Sequence, residues 1–303
     1  MSRQETVPPG DGVRPDLADL IALRERVRAW PPAGRGVHGA TGSSSRLRGR
    51  GMDYAESRPY AQGDDARHID WRLTARSGRT HTKVFHAERE RVSLLICDTA
   101  PALYFGTRVC FKSVQAARAG ALAAWASQRS GDRIGAIRAG DEAPQPPAGG
   151  VRGAQRALDT LARWYAGPPA DDRGLDEALA AGGRLLRPGG RIVVLADPAS
   201  LEAVDDARLA LLAEHHELCV VLLVDPLERA PPRARVALQA GDTRHVLDLA
   251  GAQAREAWRA RFEAPVERAC TRLQRVAAAT LVLSTDAAPE AILPLLMPGR
   301  VAA

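Results

Sequence analysis

The sequence predicts an α/β protein with a doubly wound, mostly parallel sheet, and three observations support this prediction. First, five short apolar runs occur after residue 91, at 92–97, 133–137, 191–196, 218–224 and 279–284. They lack polar alternation, which is typical of strands that are covered on both faces. Second, helical segments separate these runs, and strands that alternate with helices imply βαβ units. Third, 45% of the 303 residues are apolar but only 4% are aromatic, so we expect a sizeable core of Ala, Leu and Val.

The elements before the sheet are predicted from capping residues and turn formers. An amphipathic helix is expected over residues 16–30, with Asp16 as its N-cap and a Pro-Pro pair after its end. Residues 33–50 are rich in Gly, Ser and Arg, which predicts a loop. An exposed strand is expected over residues 80–86, shortly before the first buried run.

Helices are predicted between and after the apolar runs. They cover residues 111–129, 152–165, 175–186, 200–215 and 252–276. Pro265 lies inside the last of them and should kink or split it, because proline lacks the backbone N–H that the helix needs. Residues 235–239 and 244–249 are predicted to form a β-hairpin inserted before that helix.

Composition excludes several classes of protein. The net charge is +6, and only Lys83 and Lys112 of the 42 basic residues are lysines. An excess of Arg suits phosphate binding or reflects codon preference, but no basic block is long enough for a nucleic-acid arm. The four cysteines lack paired spacing, so neither a disulfide framework nor a zinc site is expected. No apolar run approaches the roughly 18–20 residues of a membrane span. We therefore expect a soluble, cytoplasmic protein without a nucleic-acid partner.

Carboxylates follow three of the predicted strands, at Asp98, Asp197 and Asp225. Ligands of such sheets bind at the carboxyl ends of the strands, and three carboxylates there could hold a hard cation such as Mg²⁺. Aspartate also favours strand-to-loop corners because its side chain makes local turns, so this second interpretation stays open. The sequence has no phosphate-binding loop and no nucleophile elbow. A His68–Asp70 acid–base pair would lack a nucleophile, so no catalytic residue is predicted.

Residues 57–78 form the most unusual segment, because they concentrate Arg, Asp and Trp. Asp64 is a candidate cap for a short helix that Gly78 would end. The segment is either an internal ion-pair network or a surface for a partner, since Trp and Arg are enriched at binding hot spots. The candidate signature or partner-binding residues are Arg58, Tyr60, Gly63, Asp64, Asp65, Arg67, Asp70, Trp71, Arg72 and Arg76.

The same segment carries a long motif. It runs through RGRGMDY at 48–54, SRPY at 57–60, GDDARHIDWR at 63–72, TARSG at 74–78, KVF at 83–85 and ER at 88–89. Further matches are DPLE at 225–228 and LSTD at 283–286. With these motifs the sequence resembles the bacterial family called domain of unknown function 58, over nearly the whole chain after residue 33.

The resemblance implies a fold and a function. The C-terminal half is expected to be a von Willebrand factor A-like domain over residues 92–303, after an N-terminal helix and flexible loop over 1–45 and a signature segment over 46–91. Members of the family are linked with MoxR-type AAA+ ATPases and with further von Willebrand A proteins, in protein maturation, complex assembly or metal insertion. We therefore expect a non-enzymatic interaction or adaptor protein. The alternatives are a metal-dependent von Willebrand A ligand binder and, third, a hydrolase.

The resemblance also implies a degenerate metal site and no cofactor. Von Willebrand A domains bind a cation through Asp-x-Ser-x-Ser after the first strand, a later Thr and a further Asp. Here Ala100 and Ala102 replace both serines, and the Thr position falls near Arg173. Only Asp98 and Asp197 remain, whereas such a cation takes six or more oxygen donors. An Arg near that position could instead pair with these two aspartates and replace the cation.

Overall fold

The computed structural model describes residues 11–31, 52–61, 64–87, 91–240 and 243–297. It divides the chain into two compact units, one formed by Met1–Gly36 with Arg91–Ala303 and the other by Val37–Glu90. The whole of the predicted loop at 33–50, together with Gly63 and the ER pair at 88–89 of the motif, lies outside the described residues. Within the described residues, no helix is both long enough and apolar enough to cross a membrane.

The elements follow one another in mixed α/β order. The strands are β1 (Met52–Pro59), β2 (His81–Ala87), β3 (Val92–Cys97), β4 (Arg133–Arg138), β5 (Gln145–Ala148), β6 (Arg191–Ala196), β7 (Glu217–Val224), β8 (Arg235–Ala240), β9 (Thr243–Asp248) and β10 (Ala279–Ser284). The helices are α1 (Leu17–Ala29), α2 (Trp71–Ser77), α3 (Lys112–Arg129), α4 (Gly150–Trp164), α5 (Leu175–Leu185), α6 (Pro198–Glu202), α7 (Asp206–His215), α8 (Pro226–Arg229), α9 (Ala252–Trp258), α10 (Ala264–Arg275) and α11 (Leu293–Leu296).

The larger unit is built on a six-stranded sheet in the order β10-β7-β6-β3-β4-β5. Neighbouring strands are parallel, except that β5 pairs antiparallel with β4. The five predicted apolar runs are therefore the five parallel strands. Strands β8 and β9 form a separate antiparallel hairpin, as predicted.

Helices cover both faces of this sheet, because successive side chains of a strand point to opposite faces. On one face, Leu95 and Val193 belong to a core with side chains of α1, α3 and α4. On the other face, Leu94 and Val194 belong to a core with side chains of α5, α7 and α10. Burial on both faces explains why the strands are continuously apolar, and it makes the sheet doubly wound.

Helix α3 is almost completely buried where it packs on the first face of the sheet. Its small side chains allow a close approach, and a Cβ added at Gly120 would lie 2.9 Å from Leu161 Cδ1 and 3.1 Å from Leu195 Cδ1. Such contacts leave no room for sliding in a close-packed interior. The first turn of α3, which begins at Lys112, is thereby fixed beside the carboxyl edge of the sheet.

Strands β1 and β5 were not expected from the sequence. Strand β5 contains Pro146 and Pro147, and proline is tolerated only at a sheet edge because it cannot donate to a central ladder. Strand β1 has few apolar residues and pairs antiparallel with β2, with a register irregularity between Tyr54 and Glu56. Its strand conformation therefore depends on pairing and not on an apolar pattern.

Two predicted helices are divided. The segment predicted at 200–215 forms α6 and α7, because Asp205 accepts from the Ala207 N–H and starts a new helix. Between α9 and α10 the chain forms a π-helical turn at Arg259–Glu263. The turn precedes Pro265, whose missing N–H and bulky ring disturb the regular ladder. The predicted effect of Pro265 is confirmed.

The N-terminal helix belongs to the larger unit. Asp16 caps α1 by accepting from the Ala18 and Asp19 N–H groups. Leu20 is only 1% exposed, and the Trp125 indole N–H donates to its carbonyl at 3.0 Å. Helix α1 is therefore part of the layer that covers α3.

We expect Leu20→Ala to lower the free energy of unfolding by about 2–5 kcal/mol, because it removes a buried side chain and leaves a cavity. The matched control is Ile21→Ala on the same helix, whose side chain is 40% exposed; its effect should stay within about 0.5 kcal/mol. Urea denaturation of both variants measures the difference. Equal effects would contradict the packing of α1 described here.

Candidate functional site

The predicted carboxylates meet at the carboxyl edge of the sheet. Asp98, Asp197 and Asp225 follow β3, β6 and β7, which are neighbours in the strand order. The Asp197 N–H donates to Asp98 Oδ2 at 2.9 Å. Asp98 and Asp197 therefore lie at one edge and in contact, as the sequence predicts.

The central feature of this edge is a buried ammonium group. Lys112 Nζ lies 2.6 Å from Asp197 Oδ2 and 2.6 Å from Glu228 Oε1, and its side chain is 2% exposed. Burial alone would lower the pKa of Lys112, but the two carboxylates raise it above the ordinary value. The group is therefore a cation held between two anions. We call Lys112, Asp98, Asp197, Asp225 and Glu228 the sheet-edge cluster.

Asp98 is occupied by backbone donors. Its Oδ1 accepts from the Ala100 N–H at 2.9 Å, and its Oδ2 accepts from Asp197. Burial raises the pKa of Asp98 to about 6, against the effect of these hydrogen bonds. Asp197 in turn caps α6 by accepting from the Ala199 N–H. Both aspartates thus make the local turns that aspartate favours at strand ends.

The Asp225 carboxylate accepts hydrogen bonds from three separate segments of the chain. It accepts from the Thr107 N–H at 3.0 Å and the Thr107 hydroxyl at 2.5 Å, from the Thr285 hydroxyl at 2.8 Å, and from the Leu227 N–H at 2.9 Å. Glu228 completes a capping box by accepting from the Asp225 N–H. The cluster thus includes the DPLE motif at 225–228 and contacts the LSTD motif at 283–286, although these are remote in the sequence.

The sheet-edge cluster does not fit a divalent cation. The Lys112 ammonium lies against Asp197 and Glu228, where it would repel a second cation. Ala100 and Ala102 offer no hydroxyl oxygen. In the parts of the chain that the structure describes, no group of three or more His, Cys, Asp or Glu side chains has an arrangement that could hold a metal ion.

The prediction that Arg173 replaces the cation is wrong. Arg173 pairs with Asp141, and its Nη1 lies 3.4 Å from Glu177 Oε1. These pairs are exposed and lie next to a second network after β4, where Arg138 contacts both carboxylate oxygens of Asp171 at 2.9 and 3.2 Å. This bidentate contact lowers the pKa of Asp171 to about 2. Lys112 therefore takes the role expected of Arg173.

No sequence pattern identifies Lys112 as the counter-ion of Asp197 and Glu228. It lies 85 residues from Asp197 and 116 residues from Glu228 in the sequence, so no local spacing connects them. One signal was present, since Lys112 is one of only two lysines among 42 basic residues. An ammonium group is a compact charge that fits between two carboxylates, whereas the planar fork of Arg needs more room.

Two cavities adjoin the cluster. The smaller has a volume of about 40 Å³ beside Asp197 and Glu228, which leaves room for a few water molecules only. The larger is a cleft of about 690 Å³ lined by residues of the loop after β3, of the segment around α8 and of β8. We call the second one the hairpin cleft. Its size is in the range of ligand sites.

The smaller unit contains the candidate signature residues. Arg58 Nη2 lies 2.6 Å from Asp64 Oδ1, and the Tyr60 hydroxyl donates to the Asp64 carbonyl at 3.1 Å. Asp64 does not cap the helix, contrary to the prediction. Asp65 instead caps a short 3-10 turn at Ala66–His68, and Asp70 then starts α2.

Asp70 and Gly78 define the ends of α2. Asp70 Oδ1 accepts from the Leu73 N–H at 3.0 Å, and Oδ2 accepts from the Ser57 hydroxyl at 2.8 Å. Gly78 adopts the left-handed conformation with φ 68° and closes the helix, as predicted, because glycine pays no steric penalty there. The acidic residues of the motif thus serve local structure.

Trp71 and three arginines of the motif are exposed instead. Trp71 is 69% exposed, and Arg67, Arg72 and Arg76 are exposed on the same turn and helix. Among the described residues, no ion pair involves these three arginines. We call Arg67, Trp71, Arg72 and Arg76 the signature surface.

Lys112→Met is expected to lower the free energy of unfolding by about 3–5 kcal/mol, because it leaves two buried carboxylates without their counter-ion. Combining it with Glu228→Gln removes one of those anions, so the double variant should be more stable than the sum of the single effects predicts. The exposed Arg156→Met on α4 controls for the loss of one positive charge. Strictly additive effects in chemical denaturation would contradict a coupled cluster.

The wild-type melting temperature should not change at millimolar Mg²⁺, Mn²⁺ or Ca²⁺, because Lys112 already supplies the positive charge. A bound cation would raise the melting temperature by mass action, but Lys112→Ala should show no such rise either, because Ala100 and Ala102 supply no oxygen donor to complete the coordination shell. Differential scanning fluorimetry measures both. A rise in the wild type that Asp98→Ala abolishes would show that a cation binds there after all.

Two curated relatives, one solved structure and one family model are similar to this chain. An uncharacterized protein of Mycobacterium tuberculosis (strain ATCC 25618 / H37Rv) and one of Mycobacterium bovis (strain ATCC BAA-935 / AF2122/97) are each 32% identical over 181 residues, which is 59% of this chain and 56% of theirs. The chain thus spans a little over half the length of these relatives. The crystal structure of the conserved hypothetical protein BatB from Bacteroides thetaiotaomicron matches with a TM-score of 0.46 at 14% identity, over 68% of this chain and 95% of that one. The family model "Protein of unknown function DUF58" matches residues 56–272, and the chain belongs to this family.

Proposed function

We propose that this protein is a non-enzymatic interaction or adaptor component of a MoxR-type AAA+ ATPase system, acting in protein maturation or complex assembly. We further propose that its larger unit is of the von Willebrand factor A type. The signature surface carries the functional proposal. A Trp that is 69% exposed beside three exposed arginines has the composition of a protein-binding hot spot.

The acidic residues and the exposed residues of the motif have different roles, which supports the proposed interaction function. Asp64, Asp65 and Asp70 form turns and caps, which accounts for them by local structure. Among the described residues, Trp71 and Arg72 make no hydrogen bond or ion pair through their side chains. A partner that covers them would use the combination of Trp and Arg that is enriched at binding hot spots.

Charge indicates the kind of partner surface. The three arginines of the signature surface favour an acidic patch, and their planar forks suit bidentate pairing with carboxylates. Exposed pairs of this kind mainly raise the association rate and set specificity, and salt weakens them. The proposed complex should therefore be sensitive to ionic strength.

The sheet-edge cluster argues against the metal-dependent alternative, and the hydrogen bonds of Asp70 argue against the hydrolase. A metal-dependent ligand binder needs a cation at the position that Lys112 takes. A hydrolase using His68 and Asp70 needs a carboxylate available for proton transfer. Both oxygens of Asp70 instead accept hydrogen bonds, from the Leu73 N–H and the Ser57 hydroxyl, as an N-cap requires.

Trp71→Ala and Arg72→Ala are expected to weaken binding of a MoxR-type ATPase from the same organism by about 1–4 kcal/mol, because they remove hot-spot side chains. Their free energies of unfolding should change by less than about 0.5 kcal/mol, since both side chains are exposed. Titration with the purified ATPase and chemical denaturation measure the two effects.

Two further variants control this experiment. Arg156→Ala removes an exposed Arg from the larger unit and should change neither quantity. Asp70→Ala removes the cap of α2 and should cost about 0.5–2 kcal/mol of stability. If Trp71→Ala and Arg72→Ala both bind the ATPase like the wild type, the signature surface is not the binding site. If the wild type does not bind it, the proposed function fails.

A further inference from the structure

The hairpin cleft runs along the edge of a strand. Four consecutive residues of β8, from Val236 to Gln239, line it. Because successive side chains point to opposite faces, a cleft that touches all four must follow the backbone edge. Strand β9 pairs with β8, so the cleft follows the opposite edge of β8.

The hydrogen-bond register identifies the backbone groups that face the cleft. The Leu249 N–H donates to the Ala234 carbonyl at 3.1 Å, so this opposed pair is a hydrogen-bonded one. In an antiparallel ladder such pairs alternate with pairs that make no mutual bonds. Ala237, which opposes Val246, therefore belongs to the second kind. Its N–H and C=O point away from β9, toward the cleft.

Part of the remaining lining of the cleft, which we call its wall, is apolar. Tyr104, Phe105 and Leu227 line it, and Phe105 and Leu227 belong with Val236 and Leu238 to a small hydrophobic cluster under the hairpin. The Asp225 bonds to Thr107 fix this wall. An extended chain in the cleft would thus meet a strand edge and a wall that is apolar in part.

Four exposed arginines lie on or beside the segments that form the cleft, and Arg108 is among the residues that line it. Arg108, Arg229, Arg233 and Arg244 are exposed, and no ion pair involves them in the described parts of the chain. Among the described residues, three acidic groups near the cleft are paired or buried elsewhere. Asp225 and Glu228 are buried in the sheet-edge cluster, and Asp248 pairs with Arg235 at 3.4 Å.

We propose that an acidic, extended segment of a partner protein binds in the hairpin cleft as an added strand on β8. Backbone hydrogen bonds to Ala237 would supply affinity, as in other cases of strand addition. Apolar side chains would contact the Phe105 wall, and acidic side chains would meet the exposed arginines. A strand edge recognises a peptide backbone and not a sugar–phosphate one, which favours a protein partner over nucleic acid. The inference deepens the proposed adaptor function and rests on it for the biological partner.

The test uses the full chain and a fluorescein-labelled peptide of about ten alternating Val and Glu residues, long enough to span β8 at about 3.3 Å per residue. Fluorescence anisotropy should show saturable binding that weakens with added salt. Ala237→Pro removes the N–H that faces the cleft, at an edge position where proline is tolerated. It should weaken binding at least about tenfold. The matched control Val246→Pro places proline at the opposed position of β9, on the edge away from the cleft, and should bind like the wild type.

Charge is tested separately from the backbone. Arg108→Glu with Arg233→Glu should weaken binding of the acidic peptide, and a peptide with Lys in place of Glu should bind the wild type at least about tenfold more weakly. No binding of the acidic peptide, equal effects of the two proline variants, or tighter binding of a single-stranded RNA of similar length would each overturn the inference. The assay contains no ATPase. A negative peptide result with intact ATPase binding therefore rejects only strand addition, and the converse result rejects only the proposed ATPase partner.

Discussion

The ion triplet of Lys112, Asp197 and Glu228 is the constraint on which the carboxyl edge of the sheet depends. Each of the three groups is almost completely buried, and an isolated charge in such surroundings would be very costly. The three are therefore tolerated only together. Because they come from α3, from the end of β6 and from α8, their pairing fixes the relative positions of elements that lie far apart in the sequence. Asp225 extends the same network to two further loops, so the whole edge acts as one preorganised unit.

The Lys112 ammonium supplies the positive charge beside Asp197 and Glu228, so these carboxylates do not require a metal ion as their counter-ion. A side-chain ammonium delivers one positive charge with three directional donors and requires no coordination shell. Its position is set by the packing of α3, in which Gly120 lies close against Leu161 and Leu195. The edge is consequently a rigid support for the loop that carries Phe105 and Thr107. Binding at the hairpin cleft would use that support, whereas binding at the signature surface would use Trp71 and its neighbouring arginines. In the proposed adaptor function the two surfaces would offer contacts of different chemistry.

Much of the fold could be read from the sequence because its signals are local. Continuous apolar runs identified the five parallel strands, and Asp16 and Gly78 marked helix ends through contacts within a few residues. Local signals also misled where two candidates compete. The sequence suggests Asp64 as a helix cap, but Asp65 and Asp70 take that role. The cap is the residue whose side chain the backbone places within hydrogen-bond distance of the free N–H groups. Strand β5 could not be predicted from its sequence, because its two prolines are tolerated only in an edge strand. Which strand lies at the edge is a property of the whole sheet.

By itself the sequence determined the fold class, the family motif and the meeting of Asp98 and Asp197 at one sheet edge, because parallel strands bring all their carboxyl ends together. Only the tertiary structure decided which cation serves those carboxylates. The family resemblance suggested Arg173, yet Lys112 fills the position, since the choice depends on which side chain the packing of α3 brings within bonding distance. The free edge of β8 and the exposure of Trp71 are likewise properties of the assembled molecule. Periodicity fixes which residues are buried in an element, whereas long-range packing fixes which groups meet.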